Sequence, residues 1–217
     1  VIVVDANLTT PNVGIHLGAP IVPVNLNHVM QGKAKVTDAI YEHDSGTKII
    51  PSSLSIKELK RINPEKLKDV AKKLRGLADF VILDSAAGLG PEAVSALEAA
   101  DSLIIVTNPE IPAVTDALKT SKLAEEMNKE ILGVIVTRVS GSKSEMPLEN
   151  IKEMLELPIL GVVPEDKRIQ ISLAMKNAIV HTHPRSSAAR AYKAIAAKML
   201  GLTKYKEASF WDRLFGR

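Results

Sequence analysis

The sequence contains no cysteine. Within these residues that excludes disulfides, cysteine-ligated zinc, iron–sulfur clusters and thiol nucleophiles, and it is compatible with a reducing cytoplasm. Aromatic residues make up only 3% of the chain, so its core must be aliphatic. No run approaches the roughly 18 apolar residues of a membrane-crossing helix, and no stretch has the pattern of a secretory signal. The histidines show no metal-ligand spacing, and the pair His181-Thr182-His183 precedes Pro184 and reads as loop. Ser85 follows an acid, but no nucleophile elbow surrounds it, which argues against a hydrolase triad. Charge of one sign is also scarce. The net charge is +3 and the pI near 9.0, too weak to imply nucleic acid but compatible with anionic surfaces.

What is present suits one domain with a full core, residues 1–202, followed by a distinct tail, residues 203–217. The chain has 217 residues, 46% of them hydrophobic. It is organised around residues 80–90, FVILDSAAGLG. Four apolar residues lead to Asp84, and a small-residue turn follows. This reads as a buried parallel strand delivering an acid to the carboxyl edge of a sheet, where ligands of open α/β folds sit. An acid there can hold Mg²⁺, and Gly88 would let the backbone approach a phosphate. The plainer alternative is a core strand that ends in a surface aspartate.

The chain opens on a second apolar run that ends in an acid, residues 1–5, VIVVD. Because it already reads as a buried strand, a strand and helix are expected upstream of it. Further strands are predicted over 47–50, 102–106, 131–136 and 159–163. Helices are predicted over 91–99, 113–128, 148–155, 169–176 and 187–200. Residues 55–76 hold one or two helices, with Asn63 capping and Pro64 opening the second. This segment is rich in Lys and Arg with Glu58, Glu65 and Asp69 interspersed. It is read as a solvated face, with a polynucleotide patch as the alternative.

The alternation of strands and helices predicts a doubly wound, mostly parallel sheet with helices on both faces. Asp5, Asp84, Asn108, Arg138 and the pair Pro164-Glu165 then fall at strand ends along one edge. One polar strand end is unremarkable, but so many together favour a ligand site.

These residues resemble the MinD/ParA family of deviant Walker P-loop ATPases, a SIMIBI-like α/β fold. The matching pieces are VVDANLTTPNVGIHLG, FVILDSAAG, VTNPEIPAVTDALK, GVIVTRV and LPILGVVPEDKRI, in family order across nearly the whole chain. The resemblance implies ATP/ADP and Mg²⁺ as ligands. Asp5 matches the first acid of the family's switch I, near the metal and the attacking water, and Asp84 matches the Walker B acid. Gly88 matches the switch II glycine that senses the γ-phosphate. Asn108, Arg138, Pro164 and Glu165 fall where the family lines the adenine pocket. The family also dimerises on ATP, and hydrolysis releases the dimer.

The sequence departs from that pattern twice. No Gly-rich phosphate loop occurs in it. In the family that loop precedes the first strand seen here by about one βα unit of some 30 residues, so the first βα unit is expected to be missing, and this chain alone cannot cradle ATP phosphates. Asn7 stands where the family has a second acid. An amide can orient a water but cannot take its proton, so slow hydrolysis is expected even when the protein is complete.

In the tail, Phe210, Trp211, Leu214 and Phe215 fall on one helical face beside Lys204, Lys206, Arg213 and Arg217. The reading is an amphipathic anchor for anionic lipids on the inner membrane surface. The alternatives are a helix folded back on its domain or a partner-protein groove. Full burial of a large apolar side chain contributes roughly 1.5–3 kcal/mol. Interfacial burial is partial, so one tail should bind at about the millimolar to high micromolar scale. Two tails on a dimer add avidity of about 10²-fold or more.

The expected function is a MinD-like ATPase switch, cytoplasmic and peripheral on the membrane, that positions an unnamed protein partner. The rivals are a ParA-like or flagellar-number regulator, which would bind DNA in a salt-sensitive way, and a non-hydrolysing nucleotide-binding membrane scaffold. An iron–sulfur carrier of the same superfamily is disfavoured by the lack of cysteine.

Overall fold

Strands and helices alternate along residues 1–202, the part of the chain that the computed structural model describes. In order they are β1 (Ile2–Asp5), α1 (Val13–His16), α2 (Leu26–Met30), β2 (Tyr41–Glu42), β3 (Lys48–Ile50), α3 (Ile56–Leu59), α4 (Leu67–Leu74), β4 (Val81–Asp84) and α5 (Pro91–Ala99). The chain continues with β5 (Ser102–Thr107), α6 (Ile111–Glu126), β6 (Glu130–Val139), α7 (Leu148–Leu155), β7 (Ile159–Pro164), α8 (Arg168–Ala174), α9 (Ile179–Thr182) and α10 (Ser187–Met199). Residues 203–217, with Phe210, Trp211, Leu214 and Phe215, on which the anchor expectation falls, lie outside the described part.

The strands form two ladders among the described residues, β2-β3-β1-β4 and β5-β6-β7. Every pairing is parallel except β2 with β3. This is the mostly parallel α/β arrangement that the alternation predicts. Strand β2 is too short for any periodicity to reveal it.

Alternate residues of the second ladder point to opposite faces, and each face has its own helices. Val134 and Val136 pack with Val114 and Ala117 of α6 and with Ile151 and Leu155 of α7. Ile135 and Val163 pack instead with Ile179 of α9 and Ala188, Ala189 and Ile195 of α10. On the first ladder, Ile2 and Val4 are completely buried under residues of α2, α4 and Ala96 of α5. Helix α4 turns Leu67, Val70 and Leu74 inward. Its lysines face water, and Lys66 pairs with Asp69 at 3.6 Å, as the solvated-face reading expects.

Strand β4 differs from expectation. Its sequence reads as buried on both sides, yet it pairs only with β1, and no ladder joins it to β5 among the described residues. Phe80 and Ile82 remain 50% and 52% exposed, and Val106 of β5 is 61% exposed. A central parallel strand is buried by a neighbour on each edge as well as by helices on its faces. Here β4 and β5 each have a neighbour on one edge only.

Strand β6 contains a kink that its apolar sequence hides. The ladder with β5 shifts register so that Leu103 faces Ile131 while Ile104 faces Gly133. Gly133 sits at φ +143°, and a Cβ there would lie 2.4 Å from the Pro158 carbonyl oxygen. The bulge sends β6 on to its carboxyl end, where Arg138 sits.

Candidate functional site

Asp5 ends β1 and Asp84 ends β4. The parallel register makes them direct Cα partners, on strands about 4.8 Å apart. The two acids therefore share one rim, as the sequence reading requires. The Ala6 N–H donates to the Asp84 carbonyl at 2.9 Å and carries the pairing past the strand ends.

The environments of the two carboxyls differ. Asp5 is completely buried. Its Oδ2 accepts the Val13 N–H at the start of α1 at 3.0 Å, while its Oδ1 has no partner. Burial pushes the Asp5 carboxyl up to about 6; the Val13 N–H pulls it down and the Asp84 charge pushes it up again. Asp84 is exposed on its open side. Partial desolvation raises its carboxyl as well, and nearby His16 opposes the rise.

A buried carboxylate oxygen without a donor, in register with a second carboxylate, calls for a cation. Mg²⁺ fits, because it is commonly held by one or two carboxylates with water and phosphate oxygens completing its shell. No cluster of three or more His, Cys, Asp or Glu suited to a metal forms among the described residues. Two carboxylates alone would leave most of a Mg²⁺ shell to water and phosphate oxygens.

The raised Asp5 pKa has a stability consequence. The folded state holds the proton more tightly than the unfolded state, so the Asp5 contribution is fully present below about pH 4. It is lost as pH rises through about 6. Relative to Asp5→Asn, the metal-free wild-type chain should lose on the order of 2–3 kcal/mol between pH 4 and 7. Urea unfolding of both proteins across that range measures it, and parallel pH profiles would contradict it.

The loop after β1 is ordered by its own side chains. The Asn7 Oδ1 accepts the Thr10 N–H at 3.1 Å and the Thr10 hydroxyl at 3.0 Å, a local side-chain-closed turn. The amide oxygen is thus committed to the loop. Thr9 gives both its N–H, at 3.0 Å, and its hydroxyl to the carboxylate of Glu92 in the first turn of α5. Gly88 lies between Asp84 and α5 at φ +81°, with nothing within 4 Å of a notional Cβ. Backbone conformation rather than crowding makes glycine the fitting residue there.

A second cluster forms at the carboxyl ends of β5, β6 and β7. Asn108 follows β5, and its Oδ1 accepts the Thr137 hydroxyl at 2.9 Å. Arg138 donates from Nε to Glu165 at 3.1 Å, and the Glu165 N–H donates to the Val139 carbonyl at 2.9 Å. Pro164 ends β7. Arg138 adopts φ +59°, and the ladder shifts register beside it. Held strain of this kind in a non-glycine residue concentrates at functional sites. A cavity of about 300 Å³ opens alongside, lined by Pro109, Val139, Glu145, Met146 and Leu148 among others. Glu145 gathers the N–H and hydroxyl of Ser140 and the N–H of Gly141, which shapes its rim.

All eight described site residues predicted from sequence lie at carboxyl strand ends or in the loops that follow them. Direct contacts join Asp5 to the Asp84 strand and Arg138 to Glu165, and no hydrogen bond links the first cluster to the second among the described residues. Sequence reasoning missed Thr9, Glu92, His16, Thr137 and Asp166. Asp166 accepts from Arg168 Nε at 2.8 Å and from the Ser187 hydroxyl at 3.2 Å, tying the turn after Pro164 to α10. The Arg168 guanidinium holds its carboxyl well below the usual range. An acid two residues before an arginine at a helix start was the available signal.

A family model described as ParA, NUBPL iron-transfer P-loop NTPase, matches residues 65–200. Over its whole length the chain is 40% identical to an uncharacterised ATP-binding protein of Methanocaldococcus jannaschii, of which it covers 86%. It is 28% identical to the septum site-determining protein MinD of Neisseria meningitidis, over 99% of this chain and 87% of that protein. The solved structure of MinD complexed with Mg-ADP from Pyrococcus horikoshii superposes with a TM-score of 0.87 at 32% identity, covering 94% of this chain and 86% of that one.

Proposed function

Because the chain belongs to the ParA family of P-loop NTPases, we propose that it acts as a MinD-like, ATP-dependent dimerisation switch that binds membrane through residues 203–217 and positions a partner complex. The observation that carries this reading is the in-register pair Asp5 and Asp84 with its orphaned buried oxygen. Asp84 and Asp5 would hold Mg²⁺, and the ion, when bound, neutralises triphosphate charge. The phosphate cradle must come from outside these 217 residues, which contain no GKGGxGKT-type run.

The other residues take supporting roles. The Asn7 NH₂ orients water without accepting its proton, so turnover is slow. The Gly88 backbone faces the terminal phosphate. Asn108, Arg138, Pro164 and Glu165 line the base. Carrying an iron–sulfur cluster would call for thiolates, and these 217 residues contain no cysteine, which favours the MinD-like reading. Such a protein would divide its time between cytoplasm and the inner membrane face.

Trp211 is the only tryptophan in the chain, so its emission reports on the tail alone. Full-length protein with Mg·ATP should sediment with anionic vesicles about 100-fold more readily than with Mg·ADP, because a dimer presents two tails. Its emission should shift blue in the same titration, and Trp211→Glu should abolish both effects. Equal sedimentation with either nucleotide would refute the switch.

A further inference from the structure

Two loops flank the carboxylate pair, and they are bonded to each other. Residues 6–12 follow Asp5, and residues 85–90 run from Asp84 to α5. Between them stands Glu92, in the first turn of α5. Its two carboxylate oxygens take the N–H and the hydroxyl of Thr9, 83 positions away in sequence. We propose that Glu92 is a positioning residue: through Thr9 it makes the loop that carries Asn7 follow the glycine strap around Gly88. The proposal rests on the nucleotide-switch reading and adds the physical link between its two sensing loops.

The contact is anchored firmly at each end. The Asn7 side chain already fastens residues 7–10 into a turn. Thr9 lies inside that turn, so whatever holds Thr9 holds Asn7. At the other end Glu92 sits on α5, a helix of 9 residues whose Ala93, Ala96 and Leu97 are buried. Glu92 therefore moves with α5. The strap between Asp84 and α5 contains Gly88, free to turn because its side is open. A ligand pulling on the Gly88 backbone shifts the start of α5, and the carboxylate carries that shift to Thr9. A carboxylate can only accept, so the direction of both bonds is fixed, and charge-assisted bonds to it are stronger than neutral ones. The contact is exposed, so it adds little to folding stability. Removing it leaves a folded protein, which makes its kinetic effect readable.

The test uses full-length protein with Mg·ATP. Glu92→Ala should lower kcat about tenfold, the scale of one charge-assisted contact, with KM for ATP changed less than about twofold. Thr9→Val, which loses the hydroxyl bond but keeps the N–H bond, should lower kcat by a smaller factor, and the double variant should be no worse than Glu92→Ala alone. Glu92→Gln, which keeps an acceptor for the Thr9 N–H, should recover most of the rate. Additive losses, or a loss confined to KM, would overturn the proposal. Should the wild type turn over no ATP at all, the functional reading fails, and amide exchange still judges the link. Gly88→Ala, strained at its positive φ, should then speed exchange at Thr9 and Thr10 only when Glu92 is present. Equal exchange with and without Glu92 would disprove the coupling.

Discussion

Replacing Asp84 with asparagine should reduce Mg²⁺-dependent ATP turnover of the full-length protein by at least about a hundredfold, the scale seen when one group that stabilises developing charge is removed. Asparagine keeps the size and one acceptor but removes the charge. Asp5 would then stand alone as the charged partner for the ion, buried and reluctant to ionise. The loss should not be one of folding. Asp84 is exposed, and among the described residues no donor is hydrogen-bonded to its carboxylate. The Asp84 charge also raises the Asp5 carboxyl, so the same substitution should bring the Asp5 titration down. Steady-state hydrolysis with a Mg²⁺ titration, run beside a thermal melt, separates these effects. Turnover within a fewfold of wild type would remove Asp84 from the metal site.

The second large effect concerns stability. Gly133→Ala should destabilise the fold by about 3–5 kcal/mol, combining strain at an unfavourable φ with forced overpacking. The added methyl would meet the Pro158 carbonyl oxygen at 2.4 Å and Leu160 Cγ at 2.9 Å. That oxygen cannot step aside, because it accepts the Val134 N–H at 2.9 Å. At roughly 2–4 °C per kcal/mol for a domain of this size, the midpoint should fall by about 10 °C. Circular dichroism melts measure this, and an unchanged midpoint would mean that the bulge yields. Arg138 lies on the same strand, so base binding should weaken along with the fold.

The legible parts of this molecule are those governed by period and local chemistry. Apolar runs ending in acids mark β1 and β4, and parallel pairing then brings Asp5 and Asp84 together without further information. Asn63 before Pro64 marks a helix start, and the structure shows its side chain accepting the Glu65 N–H at 3.0 Å. What was illegible depends on partners distant in sequence. Nothing near Glu92 says that Thr9 will be its partner, and nothing near Gly133 says that a carbonyl from the turn before β7 will crowd it. The exposure of Ile82 is of the same kind. Its sequence is that of a buried strand, and only the pairing shows which edge goes without a neighbour.

Those open edges have a practical consequence. A strand that leaves its N–H and C=O groups unclaimed is adhesive, and Ile82 and Val106 add greasy flanks to it. Neither edge carries a lysine or proline within its strand to repel a newcomer. Among the described residues the two edges are therefore places where a further strand could pair, and such a strand would cover Ile82 and Val106 as it docked.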